Sequence, residues 1–183
     1  MNNKALFLDR DGIINVDHGY VHKPEDFEFV EGIFELCQLA IKKGYQIFVI
    51  TNQAGIARGY YDVATFESLS SWMVNEFAKQ AITITKVYFC PHHPTKGVNQ
   101  FVMSCDCRKP EPGMILQAQQ DFSIDLKDSI FIGDKISDMQ AAKNSGIETR
   151  ILVDSRYTDE SPSEKVEGVM RIKQLQQAHK FVI

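Results

Sequence analysis

Short apolar runs alternate along the chain with segments whose apolar residues recur at helical spacing. The runs fall at 4–9, 45–51, 84–90, 129–134 and 149–153. Each is continuous rather than alternating, the pattern of a strand buried on both faces. Between them, Ile33, Phe34, Cys37, Ala40 and Ile41 mark a helix within 31–44, stopped at Gly44. Phe66, Leu69, Met73 and Phe77 mark a second, with Trp72 and Cys37 also assigned to the core. Residues 112–122, with Pro112 near the start, and 137–146 read as two more helices. Strands alternating with helices predict an α/β fold, a Rossmann-like parallel sheet with helices on both faces. "KPEDFEFVEG" (23–32) reads as a solvated loop and 154–168 as a polar, turn-rich stretch. The last fifteen residues suggest a closing helix and an edge segment.

Length and charge narrow the class. A chain of 183 residues is expected to form one domain, 1–183. The 20 basic and 24 acidic side chains give a net charge of −4, which argues against a nucleic-acid partner. The N-terminus lacks the features of a signal peptide, and no apolar stretch approaches the ~18 residues of a membrane span. The expectation is a cytoplasmic monomer with no membrane partner. In that compartment clustered cysteines point to metal or redox chemistry rather than disulfides.

Parallel sheets bind ligands at the carboxyl ends of their strands. After the first run stand Asp9 and Asp11. After the second come Thr51, Asn52 and Gln53. Arg108 and Lys109 close the loop after the third, and Asp134 and Lys135 follow the fourth, with Asp138 beyond. Carboxylates, a hydroxyl and a lysine suit phosphoryl transfer, which is mostly positioning and charge stabilisation. Carboxylates would repel a phosphate unless a hard cation intervened, and oxygen ligands with phosphate select Mg²⁺. An aspartate can also serve as the nucleophile, and a second one as acid and base.

The blocks "FLDRDG", "VITNQ", "CRKP" and "FIGDKISD", in this order, resemble the haloacid dehalogenase superfamily of phosphatases. The resemblance implies Asp9 as nucleophile and Asp11 as general acid and base. It implies Mg²⁺ held by the Asp9 carboxylate, the Asp11 main-chain carbonyl and Asp134. Thr51 and Lys109 would stabilise the transferring phosphoryl group. Where many members carry Thr after the DxDG turn this chain has Ile13, which is not a ligand position. The chain also lacks a large cap insertion, so an open site is expected.

Residues 90–110 hold three of the four cysteines and two of the five histidines. Cys90-x-His92 and Cys105-x-Cys107 make a Cys₃His set of the structural zinc type, with His93 as the rival imidazole. A zinc-stapled loop, 90–107, would stiffen the segment that presents Lys109. Within the superfamily this arrangement is similar to two groups, the heptose 1,7-bisphosphate 7-phosphatases and the histidinol-phosphatases. The stretches 14–29 and 51–61 look closely like the heptose group, in which Asp17, His18, Gly19, Tyr20 and Thr51 to Ala54, including Asn52 and Gln53, contact substrate. Arg108 would contribute to recognition, and Lys135 and Arg58 add cations near the mouth. The implied substrate is a sugar bisphosphate in nucleotide-activated heptose biosynthesis. The preferred anomer, and so the lipopolysaccharide or glycoprotein route, stays open. Histidinol-phosphatase is the alternative enzyme, and a zinc-loop binding module without catalysis the alternative outside enzymes.

Overall fold

The computed structural model describes residues 3–156 and 166–183. The strands are β1 (Ala5–Leu8), β2 (Gln46–Asn52), β3 (Ile84–Cys90), β4 (Ile130–Gly133), β5 (Thr149–Val153) and β6 (Val169–Ile172). The helices are α1 (Ile33–Lys42), α2 (Ala54–Ala57), α3 (Val63–Lys79), α4 (Gly113–Phe122) and α5 (Ile136–Ser145). The six strands form one sheet in the order β3-β2-β1-β4-β5-β6, and every pairing is parallel.

All four residues of β1 are buried, and their alternation divides the core. Leu6 and Leu8 face Ile33, Leu36 and Cys37 of α1 and Met73 and Phe77 of α3. Ala5 and Phe7 face Met114, Ile115 and Ala118 of α4 and Met139 and Ala142 of α5. A period of two on the strand thus feeds two helical layers. Phe7 is fully buried and stacks between Phe48 and Phe131 at ring distances of 5.5 and 6.4 Å. Truncating such a side chain costs roughly 3–5 kcal/mol. The second helical segment starts earlier than its apolar face suggested. Asp62 caps α3 by accepting a 2.8 Å hydrogen bond from the Thr65 N–H.

The structure adjusts the sequence reading in places. Ile41 is exposed, and Leu36 takes the core position on α1, because a stripe of 3.6 residues per turn centred on Ile33, Cys37 and Ala40 leaves Ile41 at its edge. Trp72 is only half-buried, pairing edge-on with Phe27 at 5.3 Å. Hence 23–32 is not wholly solvated: its acids face water, while Phe27 and Phe29 anchor it to the core. At the C-terminal end, β6 is the edge segment and a 3₁₀ helix, Leu175–Phe181, closes the layer over α1 with Leu175 and Ala178 buried. Of the polar stretch 154–168, residues 157–165 lie outside the described residues.

Candidate active site

The carboxyl ends of β1, β2, β3 and β4 deliver their side chains to one place. At its floor stands Lys109, almost fully buried. Its Nζ lies 2.9 Å from Asp9 Oδ1 and 2.7 Å from Asp138 Oδ1, and donates to the Ile50 carbonyl at 2.7 Å. The two carboxylates are ion-pair partners, and Asp138 Oδ1 has no hydrogen-bond partner of its own. Burial opposes the charge, but Asp138 and Asp9 outweigh it and raise the Lys109 pKa. Asp138 is one helical turn beyond Asp134 in α5, and its Oδ2 accepts from the Lys135 N–H at 3.0 Å. It ties the start of α5 to the lysine.

Asp134 differs from its neighbours. It is 1% exposed, and neither carboxylate oxygen has a hydrogen-bond partner. Burial raises its pKa to about 7, against the opposing charge of Lys135. Burial likewise raises Asp9 to about 6, with Asp138 adding to the push and Lys109 opposing it. Asp9, Asp134 and Asp138 offer oxygens within 4.8 Å of one another, a group that could hold a metal ion. Gly12, at φ 95°, packs directly on Asp134: a Cβ there would stand 2.4 Å from Oδ2. The position thus needs glycine both for its left-handed backbone and for the space. Buried oxygens without donors, beside two further carboxylates, fit a hard divalent cation.

A second network orients Asp11 and Thr51. The Gln53 amide donates to Thr51 Oγ1 at 2.7 Å and to Asp11 Oδ2 at 3.2 Å, and its carbonyl accepts from the Tyr61 hydroxyl at 2.6 Å. With Gln53 as donor, the Thr51 hydroxyl keeps its own proton to give elsewhere. Tyr61 reaches this place because residue 55 is glycine, where a Cβ would meet the ring at 2.3 Å. Arg10, 1% exposed, donates to Asp11 Oδ1 and to the Val21 carbonyl, each at 2.8 Å. Burial would raise the Asp11 pKa; the Arg10 charge and the hydrogen bonds from Arg10 and Asn15 outweigh it and lower it. Asn52 exchanges two bonds with the Lys109 backbone: Nδ2 donates to its carbonyl at 3.0 Å, and its N–H donates to Oδ1 at 3.1 Å.

Above the floor opens a cleft of about 520 Å³, walled by Asp11, Asp17, Gly19, Tyr20, Asn52, Gln53, Ala54, Arg108, Lys109 and Lys135, with Tyr61. The substrate-contacting positions expected from the sequence are among these, save two: Thr51 is buried behind Gln53, and His18 lies elsewhere. His18 faces a separate surface hollow with Glu25 and Glu28, and its Nε2 lies 3.0 Å from Glu28 Oε2. Its neighbours Asp17 and Gly19 both line the cleft, while the imidazole between them is held on the outer side by Glu28. Asp17 stands between two cations, Lys135 Nζ at 3.5 Å and Arg156 Nη2 at 3.7 Å. Arg58 does not line the cleft; its guanidinium lies over the Tyr20 ring at 5.9 Å.

The arm that leaves β3 gathers Cys90, His92, Cys105 and Cys107 into one cluster that could hold a metal ion. The sulfurs are 3.2, 3.3 and 3.6 Å apart, and His92 Nδ1 is 3.4 Å from Cys107 Sγ and 3.7 Å from Cys90 Sγ. A tetrahedral zinc with bonds of about 2.3 Å to sulfur has edges of about 3.8 Å, so the cluster is close to that size. His93 is spent differently: its Nδ1 accepts from the N–H groups of Thr95 and Lys96 at 3.2 and 2.9 Å. Arg108 Nη1 donates to the His92 carbonyl at 3.0 Å, which fastens the guanidinium to the cluster. Burial foremost raises the thiols of Cys90 and Cys107. Thiolates here therefore need a cation.

Comparison with known proteins adds a family. A HAD-hydrolase-like family model matches residues 106–178. The D-glycero-alpha-D-manno-heptose-1,7-bisphosphate 7-phosphatase of Campylobacter jejuni is 54% identical over 153 residues, 84% of each chain. The chain belongs to the heptose-1,7-bisphosphate 7-phosphatase family. A beta-anomer member from Vibrio cholerae is 48% identical over 84% of this chain and 82% of its own. A D,D-heptose 1.7-bisphosphate phosphatase from B. bronchiseptica, solved with magnesium and phosphate, has a TM-score of 0.84 at 27% identity, covering 98% of this chain and 97% of its own. The heptose bisphosphate phosphatase fold thus extends over nearly all of this chain.

Several site residues escaped the sequence reading. Arg10 was assigned no role, yet it is buried with its guanidinium over the Phe66 ring, 5.8 Å away. Asn15, Tyr61 and Arg156 carried no strand-end signal. Asp138 did carry one, standing four residues after Asp134 at the start of a helix, but its pairing with Lys109 depends on a fold contact.

Proposed function

We propose that the protein is a Mg²⁺-dependent phosphatase that removes the C7 phosphate of D-glycero-D-manno-heptose 1,7-bisphosphate, leaving heptose 1-phosphate for nucleotide-activated heptose biosynthesis. The observation that carries it is Asp134, buried with no hydrogen bond to either carboxylate oxygen, beside Asp9 and the Asp138–Lys109 pair, with Lys109 and Asp11 in turn lining a cleft with basic and polar walls. Mg²⁺ would be held by the Asp9 carboxylate, the Asp11 main-chain carbonyl and Asp134. Bound there, it supplies positive charge against carboxylates and phosphate alike.

Asp9 attacks phosphorus and becomes an aspartyl-phosphate as the C7 oxygen leaves. Asp11 gives that oxygen its proton, then takes one from the water that cleaves the acyl phosphate, releasing phosphate and restoring both carboxyl groups. Gln53 fixes one Asp11 oxygen and Arg10 the other. Thr51 and Lys109 donate to the phosphoryl oxygens, where charge builds in the transition state. Asp17, Gly19, Tyr20, Gln53, Ala54, Arg108 and Lys135 face the sugar and its second phosphate. Arg108 suits that remote anion, since a guanidinium already held by the His92 carbonyl loses little freedom on binding it.

Zinc in the Cys90, His92, Cys105 and Cys107 cluster is proposed as a scaffold. Four protein ligands leave no open position for catalysis. The reading is of one domain acting as a monomer, with no nucleic-acid or membrane partner; among the described residues no helix is long and apolar enough to cross a membrane. The decisive experiment measures Mg²⁺-dependent phosphate release from both anomers of the heptose bisphosphate, heptose 7-phosphate and histidinol phosphate. Preference for a bisphosphate is expected; faster turnover of histidinol phosphate would replace the substrate, and no release from any would remove the phosphatase reading.

A further inference from the structure

We infer that Asn52 is a positioning residue: its side-chain amide latches the backbone of Lys109 to the end of β2, and it acts on catalysis through Lys109 rather than by touching substrate. The inference rests on the phosphatase reading. It departs from what the sequence suggests, since a polar residue on the cleft wall between Thr51 and Gln53 reads as a substrate contact.

Lys109 follows the metal-bearing arm and belongs to no strand, so no backbone ladder holds it. Two attachments to β2 replace the ladder. At one end the Lys109 ammonium donates to the Ile50 carbonyl at 2.7 Å. At the other, the Asn52 amide takes the Lys109 N–H and gives to the Lys109 carbonyl, at 3.1 and 3.0 Å. Asn52 is a rigid strut, since its own backbone pairs with Cys90 in the β2–β3 ladder. One donor and one acceptor are needed at once, and a primary amide supplies both. An alanine would leave both Lys109 backbone groups without these bonds, and the residue would be held only through its ammonium, by the Ile50 carbonyl and the two carboxylates. Small displacements of a positioned group cost large factors in rate. The neighbouring turn offers an internal contrast. The Asn144 amide, exposed on the last turn of α5, donates to the Pro110 carbonyl at 3.3 Å, one residue beyond Lys109 and away from the ammonium.

The experiment is a double-mutant cycle on the zinc-loaded protein with Mg²⁺ and heptose 1,7-bisphosphate, joined to amide exchange at Lys109. Asn52→Ala should lower kcat about tenfold and change KM less than about twofold. In a Lys109→Ala background the same change should cost less than about twofold, because its route of action is gone. Asn144→Ala should leave kcat within about twofold. The Lys109 N–H should be protected in the parent protein and exchange faster in Asn52→Ala. If Asn52→Ala does not fold, Asn52→Asp keeps the acceptor, loses the donor and carries the same cycle. A raised KM with unchanged kcat, an undiminished penalty without Lys109, or an unprotected Lys109 N–H in the parent would each overturn the latch. A parent protein that releases no phosphate overturns the phosphatase reading instead, and the exchange measurement still decides the latch.

Discussion

Replacing Asp134 by Asn should stabilise the magnesium-free protein while removing its response to magnesium. The carboxyl is buried, has no hydrogen-bond partner and is raised from 3.8 to about 7, first by burial. In the native state it therefore keeps its proton through a window in which the unfolded chain has lost it. Between about pH 4 and pH 7 the native state binds more protons, so stability falls as pH rises. Each pH decade of that window is worth about 1.4 kcal/mol, or about 4 kcal/mol at pH 8 if nothing relaxes. Water entry and side-chain movement cut this by about half, to roughly 2 kcal/mol. Asn has the same shape and no charge to bury. For a domain of this size the gain is a rise in melting temperature of about 4–8 °C at pH 8, and almost none at pH 4. Saturating Mg²⁺ should reverse the ranking, since a ligand at about a hundred times its Kd contributes about 2.7 kcal/mol to the protein that binds it. The assay is a set of thermal melts at pH 4 and pH 8, with and without Mg²⁺. An Asp134→Asn protein that melts at or below the parent at pH 8 without Mg²⁺, or that gains as much from Mg²⁺, would refute the reasoning.

Three further outcomes are expected. Asp9→Asn should fold normally and turn over below about 1% of the parent rate in a phosphate-release assay, because the amide keeps the shape and loses the nucleophile. The purified protein should carry one zinc per chain by elemental analysis, lose it at acid pH as the thiolates protonate, and lose both metal and several degrees of melting temperature in Cys105→Ser. Arg108→Ala should reduce kcat/KM for heptose 1,7-bisphosphate about tenfold or more and for a small aryl phosphate far less, so that competition between the two substrates reads the remote-phosphate contact directly.

The middle of the sheet was legible because β1, β2 and β4 are buried on both faces, unlike the rim strands β3 and β6. Continuous runs such as "YQIFVIT" need no alternation to be recognised, and the groups after them fall at the ligand-binding edge of any parallel sheet. That Asp9, Lys109 and Asp134 meet at one edge was therefore legible without coordinates, as was the clustering of Cys90, His92, Cys105 and Cys107 from their paired spacings. What could not be read depends on direction or distant pairing. His18 shares a segment with Asp17 and Tyr20, but its imidazole is held on the outer side by Glu28. Arg10 shows no role until Asp11, Val21 and Phe66 are folded around it. The Asp138–Lys109 pair joins a helix to a loop from different parts of the chain. Four-residue α2 is too short to show a period.

The position of β3 at the rim of the sheet has a consequence for how this architecture diversifies. The arm that carries Cys90, His92, Cys105 and Cys107 leaves the end of an outermost strand and returns to α4; its exposed stretch, 94–98, can lengthen toward solvent while Cys90, Cys105 and Cys107 stay packed on the core. Asp9 and Asp134 follow β1 and β4, the two innermost strands. The residues proposed for recognition are divided accordingly: Arg108 stands at the end of the arm, whereas Asp17, Gly19, Tyr20, Gln53, Ala54 and Lys135 follow β1, β2 and β4. Exchanging the arm between relatives should therefore alter only the share of substrate preference that Arg108 sets, while the central strands retain the rest of the cleft.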